Sequence, residues 1–156
     1  MNYFDTELIS RGLKASNANQ AIKKLGNLLV QGEYVKDTFI ENVIKREKEF
    51  ATGLPLRGKI NVAIPHTDFE HVNKPAIAVG ILDTPVEFNV MGSPDKLIQV
   101  SVVFLLAIKE SDRQLKMLKM LAEFFERPEL LLKITAALTD EEIVELLSEQ
   151  LQLSGT

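Results

Sequence analysis

Val100-Ser101-Val102-Val103-Phe104-Leu105-Leu106 carries the strongest strand signal in the chain. The run has no alternation of apolar and polar positions. A strand of this kind is covered on both faces, so Gln99–Ile108 is expected at the centre of a sheet. Working upstream, Ile60–Ile64 and Ala76–Leu82 are continuous apolar runs of the same type. Val86–Phe88 is a shorter candidate, expected nearer an edge, and Met91-Gly92-Ser93-Pro94-Asp95 reads as a turn. Leu8–Leu13 makes a first strand.

Helical spacing occupies the rest. Ser16 or Asn17 can cap a helix whose apolar positions are Ala18, Ala21, Ile22, Leu25, Leu28 and Leu29, with Gly32 as its stop. Asp37 is the expected cap of a second helix, with Ile40, Val43, Ile44 and Phe39 facing inward. Gly53, Pro55 and Gly58 break the pattern into a loop. After the central strand, Ser111 or Asp112 can cap Leu115, Leu118, Leu121, Ala122 and Phe125. Pro128 opens a short helix, where its missing N–H costs little. Thr139-Asp140-Glu141-Glu142 matches a capping box ahead of Ile143, Val144, Leu146 and Leu147. Leu153–Thr156 is expected to fray. The order of elements predicts one α/β domain over residues 1–156. It has a mixed parallel and antiparallel sheet of about five strands, with helices on both faces.

Composition removes several function classes. The chain has no cysteine, so thiolate chemistry, disulfides and thiolate metal sites are out. Its net charge is −4 and its cations are dispersed, which does not match a nucleic-acid footprint. No apolar run approaches the roughly 20 residues of a membrane span. The N-terminal residues lack the basic and apolar regions of a signal peptide. A cytoplasmic protein is the expectation. No glycine-rich phosphate loop occurs, and no cofactor is expected.

His66 is the first candidate for chemistry. It follows Ile64-Pro65 where an apolar strand should meet solvent, and it is one of two histidines. A neutral imidazole can carry a phosphoryl group or ligate a metal. From position alone, a turn histidine is an equal reading. His71, with Asp68 and Glu70, could join a metal site, although the helical spacing of familiar zinc motifs is missing. Arg46, Arg57 and Lys59 could each draw a phosphoryl group toward His66, or could be plain solvated cations. Gln114 opens the helix after the central strand. Met117 and Met120 read as core or interface filler.

Taken in order, Arg46-Glu47, Ala51-Thr52-Gly53, Val62-Ala63-Ile64-Pro65-His66-Thr67, Pro75-Ala76-Ile77-Ala78-Val79, Pro85-Val86-Glu87-Phe88 and Val103-Phe104-Leu105-Leu106-Ala107 resemble a known family. It is the enzyme IIA domains of the bacterial phosphoenolpyruvate-dependent sugar phosphotransferase system, of the fructose–mannitol superfamily. The likeness is greatest to the galactitol-type branch and spans roughly residues 5–150. The resemblance implies a phosphocarrier. The histidine matching His66 takes a phosphoryl group from the carrier HPr and passes it to a cysteine of an enzyme IIB, at a membrane transporter complex. Arg46 matches the family arginine, and Thr52 would face the same pocket. Many members have a second histidine where Gln114 stands here, and glutamine cannot become cationic. The loop holding Arg57 and Lys59 is longer than in mannitol-type members, which keeps both as rivals to Arg46. His71 is a possible secondary group. A regulatory module phosphorylated on the same histidine is the alternative. A small metal-dependent hydrolase using His66, His71 and Asp68 is a third.

Overall fold

The structure is a computed structural model that describes residues 3–109 and 111–152, with Ser111 and Gln114 described in their backbone only. The expected fraying of Leu153–Thr156 lies outside these residues. The described residues form strands β1 (Ile9–Leu13), β2 (Gly53–Leu54), β3 (Val62–Ala63), β4 (Ala76–Val90) and β5 (Ser93–Ala107). The helices are α1 (Ala18–Gln31), α2 (Phe39–Glu49), α3 (Ser111–Phe125), α4 (Pro128–Ala136) and α5 (Asp140–Gln150).

The sheet is mixed, as expected. β4 lies between β1, which is parallel to it, and β5, which is antiparallel. β5 takes β3 on its other side in parallel, and β2 pairs antiparallel with β3. Gly53 of β2 also reaches Val90 at the tip of β4. The expected central strand is therefore central.

Both sheet faces are covered. Val103, Leu105 and Ala107 of β5 join Ala76 and Ala78 of β4 under Ile22, Leu25 and Leu29 of α1 and Phe39 and Val43 of α2. Val102, Phe104 and Leu106 point the other way, into Met117, Leu121 and Phe125 of α3, Leu131 of α4 and Ile143 of α5. This two-sided burial explains why the run has no polar position after Ser101. Each fully buried Leu, Ile or Phe contributes about 1.5–3 kcal/mol over an exposed one.

Several boundaries differ from expectation. Ala76–Leu82 and Val86–Phe88 are not two strands but one, with a register shift between Ile81 and Val86. Pro85 has no N–H for the ladder, so pairing lapses around it and resumes at Val86. The turn is only Met91-Gly92, because Gly92 takes φ +77, and Ser93 already pairs with Val90. Asp37 does not cap α2. Thr38 stands at the cap without a side-chain bond to the helix, and its hydroxyl is bound to His71 instead. Ser111 and Asp112 fall within the first turn of α3 rather than before it. Asn17, Gly32, Pro128 and Thr139 take their expected cap and first-turn positions.

The expected loop at Gly53 contains β2. A Cβ on Gly53 would sit 2.6 Å from the backbone oxygen of Asn89, so only glycine lets the strand approach β4 this closely. Gly53→Ala should lower stability by about 1–3 kcal/mol, since the obstructing atom is backbone and cannot swing aside. Chemical denaturation measures this, and an unchanged midpoint would contradict the close approach.

Candidate active site

β3 is shorter than the expected Ile60–Ile64, yet the chain stays registered on β5 past both of its ends. Ser101 N–H donates to the Asn61 carbonyl, and Leu106 N–H donates to the Pro65 carbonyl, each at 3.0 Å. These bonds carry residues 61–65 along β5 and deliver His66 beside the C-terminal end of that strand. The crevice beyond the carboxyl ends of parallel strands is where open α/β sheets bind ligands.

His66 is less exposed than a strand-tip histidine should be. It retains 9% of its surface and sits between buried Ile64 and Thr67. The ring folds back so that Nδ1 lies 2.9 Å from the Ile64 carbonyl. A carbonyl only accepts, so Nδ1 carries the proton and Nε2 of the neutral ring carries the lone pair. Nε2 has no hydrogen-bond partner among the described residues. Among the described residues, Arg46 Nε is the one fully buried polar side-chain atom without a partner.

Burial holds the His66 pKa below its ordinary value of 6.5. The bond to Ile64 acts the other way; Arg46 lowers the pKa further and Asp68 raises it. Neutral His66 is favoured by folding, so the folded state binds fewer protons than the unfolded chain between the two pKa values. That contribution to stability is complete above 6.5 and is lost as pH falls through the depressed folded value. Urea midpoints of the wild type should therefore drop more steeply with acidification below 6.5 than those of His66→Gln. Parallel pH profiles would refute the depressed pKa.

Arg46 lies in the last turn of α2, with its guanidinium carbon 5.2 Å from the ring centre of Phe50. Its Nε is buried without a partner among the described residues. Such a donor near a nucleophile suits an anion arriving from outside. Arg57 and Lys59 are exposed in the 55–61 loop. Lys59 lines an apolar groove of about 350 Å³ with Leu56, Ile60, Phe125, Pro128 and Leu131. Neither Arg57 nor Lys59 is among the charges that bias His66, whereas Arg46 is.

Thr52 is buried, and its carbonyl accepts the Ile64 N–H at 3.3 Å. Its own N–H and hydroxyl donate to the two carboxylate oxygens of Glu47, at 2.9 and 2.7 Å. Burial raises the Glu47 pKa, against these two bonds. The sequence offered Glu47 only as part of a motif. The signal for more was an acidic residue in the last turn of a helix, where the dipole favours a cation.

His71 is occupied elsewhere. Its Nδ1 is hydrogen-bonded to Thr38 Oγ1 at 2.8 Å, its Nε2 is 3.5 Å from Glu70, and its carbonyl accepts the Lys36 N–H. It fastens the start of α2 to the 69–71 turn. Among the described residues, no group of three or more His, Asp or Glu could hold a metal ion, so His66, His71 and Asp68 do not make the centre that a metal-dependent hydrolase needs. Gln114 lies one turn into α3 by its backbone, and its side chain lies outside the described set. No helix among the described residues is long and apolar enough to cross a membrane.

Comparison with known proteins adds four findings. A family profile described as "Phosphoenolpyruvate-dependent sugar phosphotransferase system, EIIA 2" matches residues 2–150. The galactitol-specific EIIA component of Escherichia coli is 28% identical over 122 residues, covering 78% of this chain and 80% of that protein. A nitrogen regulatory protein of Pseudomonas aeruginosa is also 28% identical, over 132 residues, covering 81% of this chain and 80% of that one. Among solved structures, the mannitol enzyme IIA of Escherichia coli in complex with phosphorylated mannitol enzyme IIB superposes with a TM-score of 0.76. That pair shares 22% identity, over 96% of this chain and 99% of the other.

Proposed function

We propose, for a chain that belongs to the phosphoenolpyruvate-dependent sugar phosphotransferase system EIIA 2 family, that His66 Nε2 is the phosphoryl acceptor. Membership makes the chain a phosphotransferase component. The finer assignment rests on one observation above the others. The Nδ1–H of His66 is committed to the Ile64 carbonyl, so the lone pair sits on Nε2, which has no partner among the described residues.

The Nε2 lone pair attacks the phosphorus of phosphohistidine on HPr. The N–P bond on HPr breaks, and its electrons return to the leaving imidazole, which already carries a proton on its other nitrogen. The His66 ring then bears the phosphoryl group on Nε2 and a positive charge shared with Nδ1–H, against the accepting Ile64 carbonyl. Arg46 neutralises the equatorial oxygens. In the second transfer a cysteine thiolate of an enzyme IIB attacks the same phosphorus. The electron pair returns to Nε2 and the starting tautomer is restored. Leu115, 64% exposed on α3, supports an apolar contact for these partners near the same strand ends. The net charge of −4 favours a basic carrier.

Incubation with phosphoenolpyruvate, enzyme I and HPr should give an acid-labile phosphoryl adduct. Addition of a galactitol-type enzyme IIB with its cysteine intact should discharge it. No adduct on the wild type would overturn the assignment. The likeness to the nitrogen regulatory protein, equal in identity to the galactitol one, supports a second reading in which phospho-His66 controls binding to a target protein. An adduct that forms but resists discharge by enzyme IIB selects that reading.

A further inference from the structure

Glu47 has no part in the transfer step, and its location is costly. It lies in the last turn of α2, where a negative charge opposes the helix dipole, and burial weighs further against the charged form. Its two carboxylate oxygens are both taken by Thr52. From Thr52 the bonds continue without a gap. The Thr52 carbonyl accepts the Ile64 N–H, and the Ile64 carbonyl accepts His66 Nδ1. Four residues, one at a helix end and three flanking the short strands β2 and β3, form a single file that ends on the imidazole.

We propose that Glu47 is a positioning residue for His66. By holding the N–H and hydroxyl of Thr52, it fixes the residue just before β2 so that the β2–β3 pair aims the Ile64 carbonyl at Nδ1. The imidazole is thereby kept in the tautomer whose lone pair is on Nε2. Glu47 acts through hydrogen bonds and not through its charge, because the charges that bias His66 are those of Arg46 and Asp68. Without the Ile64 acceptor in place, both tautomers of a neutral imidazole become accessible. The inference rests on the reading of His66 as acceptor, but its structural part can be read independently.

Two measurements on the full chain test it: the His66 tautomer from ring-nitrogen NMR shifts, and the initial rate of adduct formation from phospho-HPr. Glu47→Ala should show a mixture of tautomers at His66 and a rate lower by about 10-fold to 100-fold, the scale of a displaced reacting group. Glu47→Gln should retain the Nδ1–H tautomer and most of the rate, since its amide can accept from the Thr52 N–H and donate to the Thr52 hydroxyl. A wild-type tautomer and rate in Glu47→Ala would overturn the proposal. So would a Glu47→Gln variant as impaired as Glu47→Ala. Should Glu47→Ala fail to fold, Thr52→Val decides: it loses the hydroxyl bond and keeps the backbone one, so a tautomer mixture supports the file and an unchanged His66 overturns it. A wild type that takes no adduct defeats the acceptor reading alone, because the tautomer shifts still report whether Glu47 sets the ring.

Discussion

His66→Ala is expected to fold and to take no phosphoryl group from phospho-HPr. The loss should be complete because no thiol, and no imidazole free of other partners, stands in for it. It contains no cysteine and one other histidine. His71 has its Nδ1 bound to Thr38 and its Nε2 beside Glu70. The variant loses the hydrogen bond to the Ile64 carbonyl, which sits among buried groups, so a stability cost of about 1–3 kcal/mol is also expected. Acid-labile label on wild type and variant, counted after equal incubation, checks the first expectation. A denaturation midpoint checks the second. Label of wild-type intensity on His66→Ala would remove His66 from the mechanism.

Arg46→Ala should fold and accept the phosphoryl group about 100-fold more slowly, as loss of one preorganised donor to a developing anion typically does. Its Nε is buried and unpartnered among the described residues, a group that costs stability unless something arrives to use it. A second readout follows from the sign of its charge effect. Arg46 lowers the His66 pKa, so removing it should raise the pKa measured by NMR titration. Arg57→Ala and Lys59→Ala should change neither quantity appreciably. If either of those slows transfer as much as Arg46→Ala, the assignment of the phosphate donor moves to the 55–61 loop.

The order of strands and helices was legible because hydrophobic patterning is local. The two-sided burial of β5 was written in its apolar run Val102–Leu106, and Asn17, Pro128 and Thr139 announced their helix ends through their own side-chain chemistry. Strand limits were less legible. Pro85 hid the continuity of β4, since a residue without an N–H looks like an end when it is only a bulge. β2 was invisible, because two residues of strand around a glycine carry almost no pattern and exist only through what Asn89 and Ala63 bring beside them.

The same division holds at the site. The sequence by itself determined that a histidine follows Ile64-Pro65 at the end of a strand, that no cysteine competes with it, and that an Arg-Glu pair ends the second helix. Tertiary structure decided the rest. It put Arg46, and neither Arg57 nor Lys59, among the charges that bias His66. It tied His71 to Thr38. It buried the expected exposed ring to 9% and fixed its tautomer through a backbone carbonyl. It also joined Glu47 to Thr52. Such choices depend on distances between residues far apart in the chain, and on burial, which makes an unpaired polar group expensive. Neither quantity is a property of a residue type or a local pattern.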